Sequence, residues 1–334
     1  MTSNSSPAPT LDVVGIGNAL VDVLTHEDDK FIEDHGLAKG AMTLIDMERA
    51  ESLYAAMGAG IEVSGGSAAN TMAGVASLGG SAGYIGQVFD DQLGTVFAHD
   101  MRAAGVDFRA KPATSGPPTG RCLVVVTPDA ERTLNTYLGS SEFFSTEVLD
   151  QELIASAQVI FLEGYLFDRP EAKEAYWTAS RIAHDASRQV SLTLSDVFCV
   201  ERHRAEWRTL VADQVDVLFA NEAEALALYE VGTFDEALAA ARADVEIAVI
   251  TRGASGSVVA TRADVVEVVA QPVEVVDTTG AGDLYAAGFL YGLTHGKSME
   301  TCGRLGAIAA AEVLGHIGAR PEVSLKGLIA PDDL

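Results

Sequence analysis

Basic residues are scarce in this chain. Its 334 residues hold 22 Lys and Arg against 48 Asp and Glu, a formal net charge of −26. A surface of that sign repels polyanions, which excludes nucleic acid and acidic membranes as partners but leaves room for one nucleotide in a local pocket. Cysteine is scarcer still. Cys122, Cys199 and Cys302 form no CxxC pair and no Cys/His cluster of zinc spacing, so they read as reduced thiols of a cytoplasmic protein. No apolar run approaches the ~18 residues of a membrane span. The first ten residues are polar and rich in Pro and Ser, without the basic and apolar regions of a secretory signal.

What is present is material for a core: 48% of residues are hydrophobic and 21% charged, enough to bury a large interior. Residues 1–10 read as a disordered tail and 11–334 as the folded domain. Apolar runs at 13–17, 83–88, 159–162, 190–194, 217–220 and 248–251 read as buried strands. Helical patterns near 48–57, 67–78, 94–104, 171–187, 202–213, 222–230, 234–242, 284–295 and 299–314 lie among them. Such alternation predicts an α/β fold, a mainly parallel central sheet with helices on both faces. Residues 122–127 and 133–138 are expected to pair across the turn Pro128-Asp129-Ala130, and 256–261 with 265–269. The first 140 residues hold more short strands than the rest, which suggests a small β-rich lid on that core.

Two glycine patterns do not lead to a site. Gly15-Ile16-Gly17 follows a strand, but Leu20 stands where a dinucleotide fingerprint needs its third glycine. Gly296-Lys297-Ser298 resembles the end of a P-loop, yet Tyr291 replaces the first glycine and a helix precedes it.

The stretch Asp277-Thr278-Thr279-Gly280-Ala281-Gly282-Asp283 is more informative. It follows an extended run, 273–276, and opens a helix. Gly280 and Gly282 let backbone N–H groups approach an anion, and the helix start supplies free donors and a positive dipole. A carboxylate directly beside bound phosphate repels it, so Asp283 makes sense as the base that takes a proton from an attacking hydroxyl. The structural alternative is an Asp cap in a Gly-rich turn.

The chain resembles the carbohydrate and nucleoside kinases of the ribokinase, or PfkB, family. Residues 277–283 look like its DTxGAGD signature, and Gly65-Gly66-Ser67-Ala68-Ala69-Asn70 like its GGxxxN signature. Asn221-Glu222-Ala223-Glu224 looks like NxxE, Thr251-Arg252-Gly253 with Gly256 like [TS]xGxxG, and Gly318-Ala319-Arg320-Pro321 like the family's late loop. The resemblance covers residues 12–322 in the family's order and implies a ribokinase-like fold with a lid from segments near 18–25, 38–48 and 117–140.

It also implies roles. Asp283 would be the general base, and the N–H groups of Gly280, Ala281 and Gly282 the anion hole for the γ-phosphoryl group of ATP. Arg132 would close over the phosphates. Glu224, and Asn221 through water, would organise Mg²⁺, although Asn221 with Glu224 also reads as a capping box. Thr251, Gly253, Gly256 and Thr278 would line the nucleotide site. Asp277 and Thr279 would be partial ligands of a K⁺ ion. Asn18, Asp22, Gly66 and Asn70 would hold the acceptor's hydroxyls.

Within the family, residues 17–22, 119–122 and 132–138 resemble the adenosine kinases. Mapped that way, Leu20, Cys122, Leu134, Thr136 and Leu138 form an apolar slot that Tyr165 or Leu166, with Phe198, completes, suited to a purine. Thr279 stands at a motif position where Thr is common among sugar kinases. The acceptor is therefore expected to be a nucleoside, with a free sugar as the alternative, a non-catalytic nucleoside-binding protein as another, and a monomer or homodimer as the assembly.

Overall fold

The computed structural model describes residues 8–129 and 131–330. Part of the expected tail and Ala130 of the expected turn lie outside the described residues. The strands, in chain order, are β1 (Leu11–Ile16), β2 (Leu20–His26), β3 (Met42–Leu44), β4 (Ile61–Gly65), β5 (Ala82–Ile85), β6 (Val106–Phe108) and β7 (Thr119–Val126). They continue as β8 (Arg132–Gly139), β9 (Ala157–Glu163), β10 (Gln189–Thr193), β11 (Val217–Asn221), β12 (Ile247–Thr251), β13 (Ser257–Thr261) and β14 (Val265–Val268).

Nine of them form one sheet in the order β14-β13-β12-β11-β10-β9-β1-β5-β6. From β12 to β6 every pairing is parallel, and β13 and β14 extend the edge antiparallel. Side chains alternate across the strands. Val13, Val159 and Phe161 join a core built with helices Ser67–Ser77, Gln92–Ala103, Ala281–Thr294 and Met299–Leu314. Val14, Ile160 and Leu162 face the opposite way, into a core with helices Pro170–Asp185, Val197–Gln214, Glu222–Tyr229 and Phe234–Asp244. Strands buried on both faces are why these segments are continuous apolar runs. This is the ribokinase-like α/β architecture.

A second sheet has the order β3-β8-β7-β2-β4. The β7–β8 hairpin is antiparallel as expected, with Cys122 opposite Thr136. Strand β4 lies outside the segments expected in this layer, yet it pairs antiparallel with β2, Leu20 opposite Gly65. One face packs Val23, Leu123 and Val125 against Ile32 and Leu53 of the helices Asp29–Asp34 and Met47–Ala56 and against Met57, which caps the second. The other face looks onto a cavity.

One expected extended run behaves differently. Residues 273–276 join no sheet; Val276 N–H donates to the Leu314 carbonyl at 2.8 Å, and Val275 and Val276 are exposed. The run has strand-forming residues but no neighbouring strand to complete a ladder. Among the described residues no helix is long and apolar enough to cross a membrane.

Candidate active site

A cavity of about 490 Å³ lies between the two sheets, where the strands β9, β10 and β11 end and helix Ala281–Thr294 begins. The C-terminal edge of a parallel sheet is where such folds bind ligands. From the small sheet, alternate residues reach its wall: Leu20 and Asp22, Met42 and Leu44, then Leu134, Thr136 and Leu138, with Cys122 between. The two-residue period of a strand puts each set on one face. Burial pushes the Cys122 thiol up to about 12, so it is a neutral wall atom. Tyr165 and Phe198 line the same cavity from the large sheet's side.

At the start of helix Ala281–Thr294, Gly280 has φ +78°, and a Cβ there would lie 2.8 Å from Ala319 Cα. Only glycine fits this left-handed, crowded position. Ala281 N–H turns back to the Thr278 carbonyl at 3.3 Å. Among the described residues the N–H groups of Gly280, Gly282 and Asp283 have no protein partner. The free donors thus differ by one from the expected set, Asp283 taking the place of Ala281. Gly282 opens onto empty space, since a Cβ there would meet nothing within 4 Å.

Asp283 sits on the cavity wall within a small network. Ser67 Oγ donates to its Oδ1 at 2.6 Å and Asn70 Nδ2 to its Oδ2 at 3.0 Å. Arg320 Nε in turn donates to Asn70 Oδ1 at 2.8 Å. Burial raises the Asp283 pKa, opposed by those two hydrogen bonds and by the Arg320 charge. A carboxylate poised to gain a proton is what a general base requires. Gly66, φ +96°, precedes Ser67; a Cβ on it would lie 2.2 Å from the Asn18 carbonyl oxygen, so glycine is what lets the two loops touch.

Asp22 differs from its neighbours. It lines the cavity and accepts no hydrogen bond from the described residues, and burial lifts it to about 6 against the charges of Arg132 and Arg320. Unfilled acceptors facing a cavity call for donors from a ligand. Asn18 is held instead by the protein: its N–H and Nδ2 donate to Glu163 Oε1 at 3.3 and 2.8 Å. Ala68 N–H donates to Glu163 Oε2 at 2.8 Å. Glu163 is buried and pushed up to about 7 by that burial. Glu163 is not among the residues expected from the sequence. The signal was a charged residue closing an otherwise apolar strand at the sheet's ligand-binding edge.

Asn221 and Glu224 form a complete capping box. Asn221 N–H donates to Glu224 Oε2 at 2.9 Å, Asn221 Nδ2 to Oε1 at 2.7 Å, and Glu224 N–H to Asn221 Oδ1 at 2.8 Å. Glu224 also faces the cavity, and burial brings it to about 7. The capping-box reading of this motif is thus realised, and Glu224 keeps its place on the cavity wall. Thr251, Thr278 and Thr279 lie on the wall, whereas Gly253 and Gly256 do not. Gly256 serves the β12–β13 connection, with φ +85° and Val268 O pressed against it.

Arg132 is absent from the wall. The first residue of β8, it forms a buried ion pair with Asp277, tying the small sheet to the phosphate-type turn. Both Asp277 oxygens are fully engaged: Oδ2 also accepts Gly318 N–H at 2.9 Å, and Oδ1 accepts Thr279 N–H at 3.0 Å and Thr279 Oγ1 at 2.8 Å. Burial would raise this carboxyl, but those bonds and Arg132 outweigh it and hold it below its ordinary value. Among the described residues no cluster of three or more His, Cys, Asp or Glu could hold a metal ion.

The match to a family model follows this geometry. The pfkB family carbohydrate kinase model fits residues 41–325. The chain belongs to the pfkB family. It is a kinase acting on a primary alcohol, and kinases of this family use ATP with a divalent metal. An adenosine kinase from Sinorhizobium meliloti is 52% identical, covering 95% of this chain and 98% of its own, with a TM-score of 0.89. A probable sugar kinase from Rhizobium etli is 49% identical over 96% and 98%, also with a TM-score of 0.89. The 5-dehydro-2-deoxygluconokinase of Halalkalibacterium halodurans is 28% identical over 100% of this chain and 98% of its own.

Proposed function

We propose that this pfkB-family kinase transfers the γ-phosphoryl group of ATP to the 5′-hydroxyl of adenosine, giving AMP and ADP. The observation that carries the reading is one cavity joining the unpartnered Asp22 carboxylate to an apolar slot of Leu20, Cys122, Leu134 and Leu138. A ribose diol can donate two hydrogen bonds to a carboxylate, and a purine needs flat apolar walls. The 52% identity to a bacterial adenosine kinase supports the same assignment.

Asp283 takes the proton from the 5′-hydroxyl as the oxygen attacks the γ-phosphorus in line. The free N–H groups of residues 280, 282 and 283 receive the charge that builds on the phosphoryl oxygens. Glu224, and Asn221 through water, would hold Mg²⁺, which neutralises phosphate charge when bound; the buried carboxyl of Glu224 on the cavity wall suits that donor role. Thr251 and Thr278 line the nucleotide's side. A K⁺ ion beside the turn would be met by the backbone carbonyls of Asp277 and Thr279, since the Asp277 carboxylate and the Thr279 hydroxyl already bond to the protein. The small sheet acts as the lid, excluding water from the transferring group, and Arg132 couples its position to the turn through Asp277.

A free sugar is the second reading. Curated relatives are named for a sugar-acid acceptor, and Thr279 fits the sugar kinases of the family. Initial rates of ADP release with adenosine, other nucleosides and neutral sugars separate the two. Adenosine preferred by kcat/KM supports the first reading, and a free sugar preferred over every nucleoside defeats it.

A further inference from the structure

We propose that the cavity selects an uncharged acceptor, and that Asp168 enforces this by occupying Arg202. The proposal rests on the phosphotransferase reading of the same cavity. Among the described residues on its wall, Asp22, Glu163, Asp168, Glu224 and Asp283 carry carboxyl groups, and Arg202 is the one Lys or Arg.

Arg202 is not free to meet an anion. Its Nη2 pairs with Asp168 Oδ1, and its guanidinium lies 4.6 Å from the centre of the Phe198 ring. His203 Nε2 is 2.8 Å from the same Asp168 oxygen. His203 stands at a break in helix Val197–Gln214, with φ −134° and ψ 26°, which turns residues 198–203 onto the cavity rim. Its Nδ1 is 3.1 Å from Lys173 Nζ, which bonds Glu206 Oε2 at 2.6 Å. Partial burial, with the Lys173 and Arg202 charges beside it, favours the neutral imidazole. Two cations thus face two carboxylates, and the rim presents no surplus positive charge.

The other nearby arginines are committed as well. Arg132 is paired with Asp277, and Arg320 bonds Asn70 while its charge acts on Asp22, Asp100 and Asp283. The carboxylate of a gluconate-type sugar acid would enter a wall of carboxyl groups with no unpaired cation to meet it. Arg202 instead fixes Phe198, a half-exposed ring, as a flat wall for a neutral ligand. Arg202 and Asp168 are positioning residues: both act through Phe198 and through the charge they cancel.

The test compares adenosine, ribose and 5-dehydro-2-deoxygluconate as acceptors of the full-length enzyme. The wild type should use the sugar acid with a kcat/KM about 100-fold below its best neutral acceptor. Asp168→Asn releases Arg202, so sugar-acid kcat/KM should rise about 10-fold while KM for the neutral acceptor increases and its kcat holds. The double variant Asp168→Asn/Arg202→Gln should lose the gain. Calorimetric titration of the same ligands without ATP reads the preference independently of turnover. Tight sugar-acid binding by the wild type, or a gain that persists in the double variant, overturns the proposal. Ribose preferred over adenosine, with the neutral-over-acid preference intact, would defeat the adenosine reading and leave this one standing.

Discussion

Asn70 Nδ2 donates to Asp283 Oδ2 at 3.0 Å, joining the first glycine motif to the last. The contact orients the carboxylate, while Ser67 holds its second oxygen at 2.6 Å. Replacing Asp283 by Asn removes the proton acceptor and keeps the shape. Turnover should fall by about 100- to 10,000-fold, with the melting temperature unchanged or raised because a buried charge has gone. Steady-state kinetics beside a thermal melt checks both. A variant that turns over at near-normal rate would remove Asp283 from the base role.

Asp22 titrates near 6, because burial disfavours its charge more than Arg132 and Arg320 restore it. The ionised form accepts two ligand hydroxyls, so acceptor KM should rise as pH falls through about 6. The stability effect has the opposite sense. With the folded-state value above the unfolded one, the native chain holds more protons between pH 3.8 and about 6, and this group's contribution falls as pH rises through that window. Asp22→Asn should abolish the KM inflection and flatten the stability slope. Kinetics and urea melts at stepped pH measure them; an unchanged inflection in the variant would assign it to another group.

The two glycines of the turn should fail differently. Gly280→Ala forces a side chain into φ +78° and against Ala319, 2.8 Å away, so it should destabilise the fold by about 1–2 kcal/mol or more. Gly282→Ala meets nothing within 4 Å and should fold normally, yet its methyl group stands on the cavity wall and should lower kcat. Equal melting temperatures for the two variants would contradict this division.

The Arg132–Asp277 pair is buried on both sides. Arg132→Ala strands a carboxylate that keeps only its Gly318 and Thr279 donors, at a cost of about 3 kcal/mol. Arg132→Ala with Asp277→Asn should recover part of the loss. Urea titration of the wild type, both single variants and the double variant gives the coupling; additivity would show the pair to be energetically idle.

The large sheet was legible because its strands are buried on both faces: runs such as 159–162 and 217–220 are continuous apolar stretches and mark themselves. The turn at residues 277–283 was legible because closely spaced glycines after an extended run mark a tight turn into a helix. The small sheet was harder. Strands β3 and β4 hold only Met42–Leu44 and Ile61–Gly65, too short for a period, and their residues are largely exposed or half-exposed. The local Asn221–Glu224 pair was legible from its spacing, but side-chain partners distant in the chain escaped. Nothing local to Glu163 announces Asn18 and Ala68, and nothing near Ser67 announces Asp283, because each bond forms between segments far apart in the chain. The 273–276 run misled because valine propensity is read without knowing whether a neighbouring strand exists.

The weave of the small sheet also sets an order on synthesis. Strand β2 takes β4 on one edge, but its other edge pairs with β7, Leu20 meeting Gly120 only after β5 and β6 of the large sheet have intervened. A ribosome delivering this chain from its amino end leaves that edge of Leu20–His26 bare until residues 119–126 emerge. Chaperone dependence and nascent-chain aggregation would therefore concentrate in this interval, and no continuous stretch of the chain can be cut out to yield the small layer as a free-standing module.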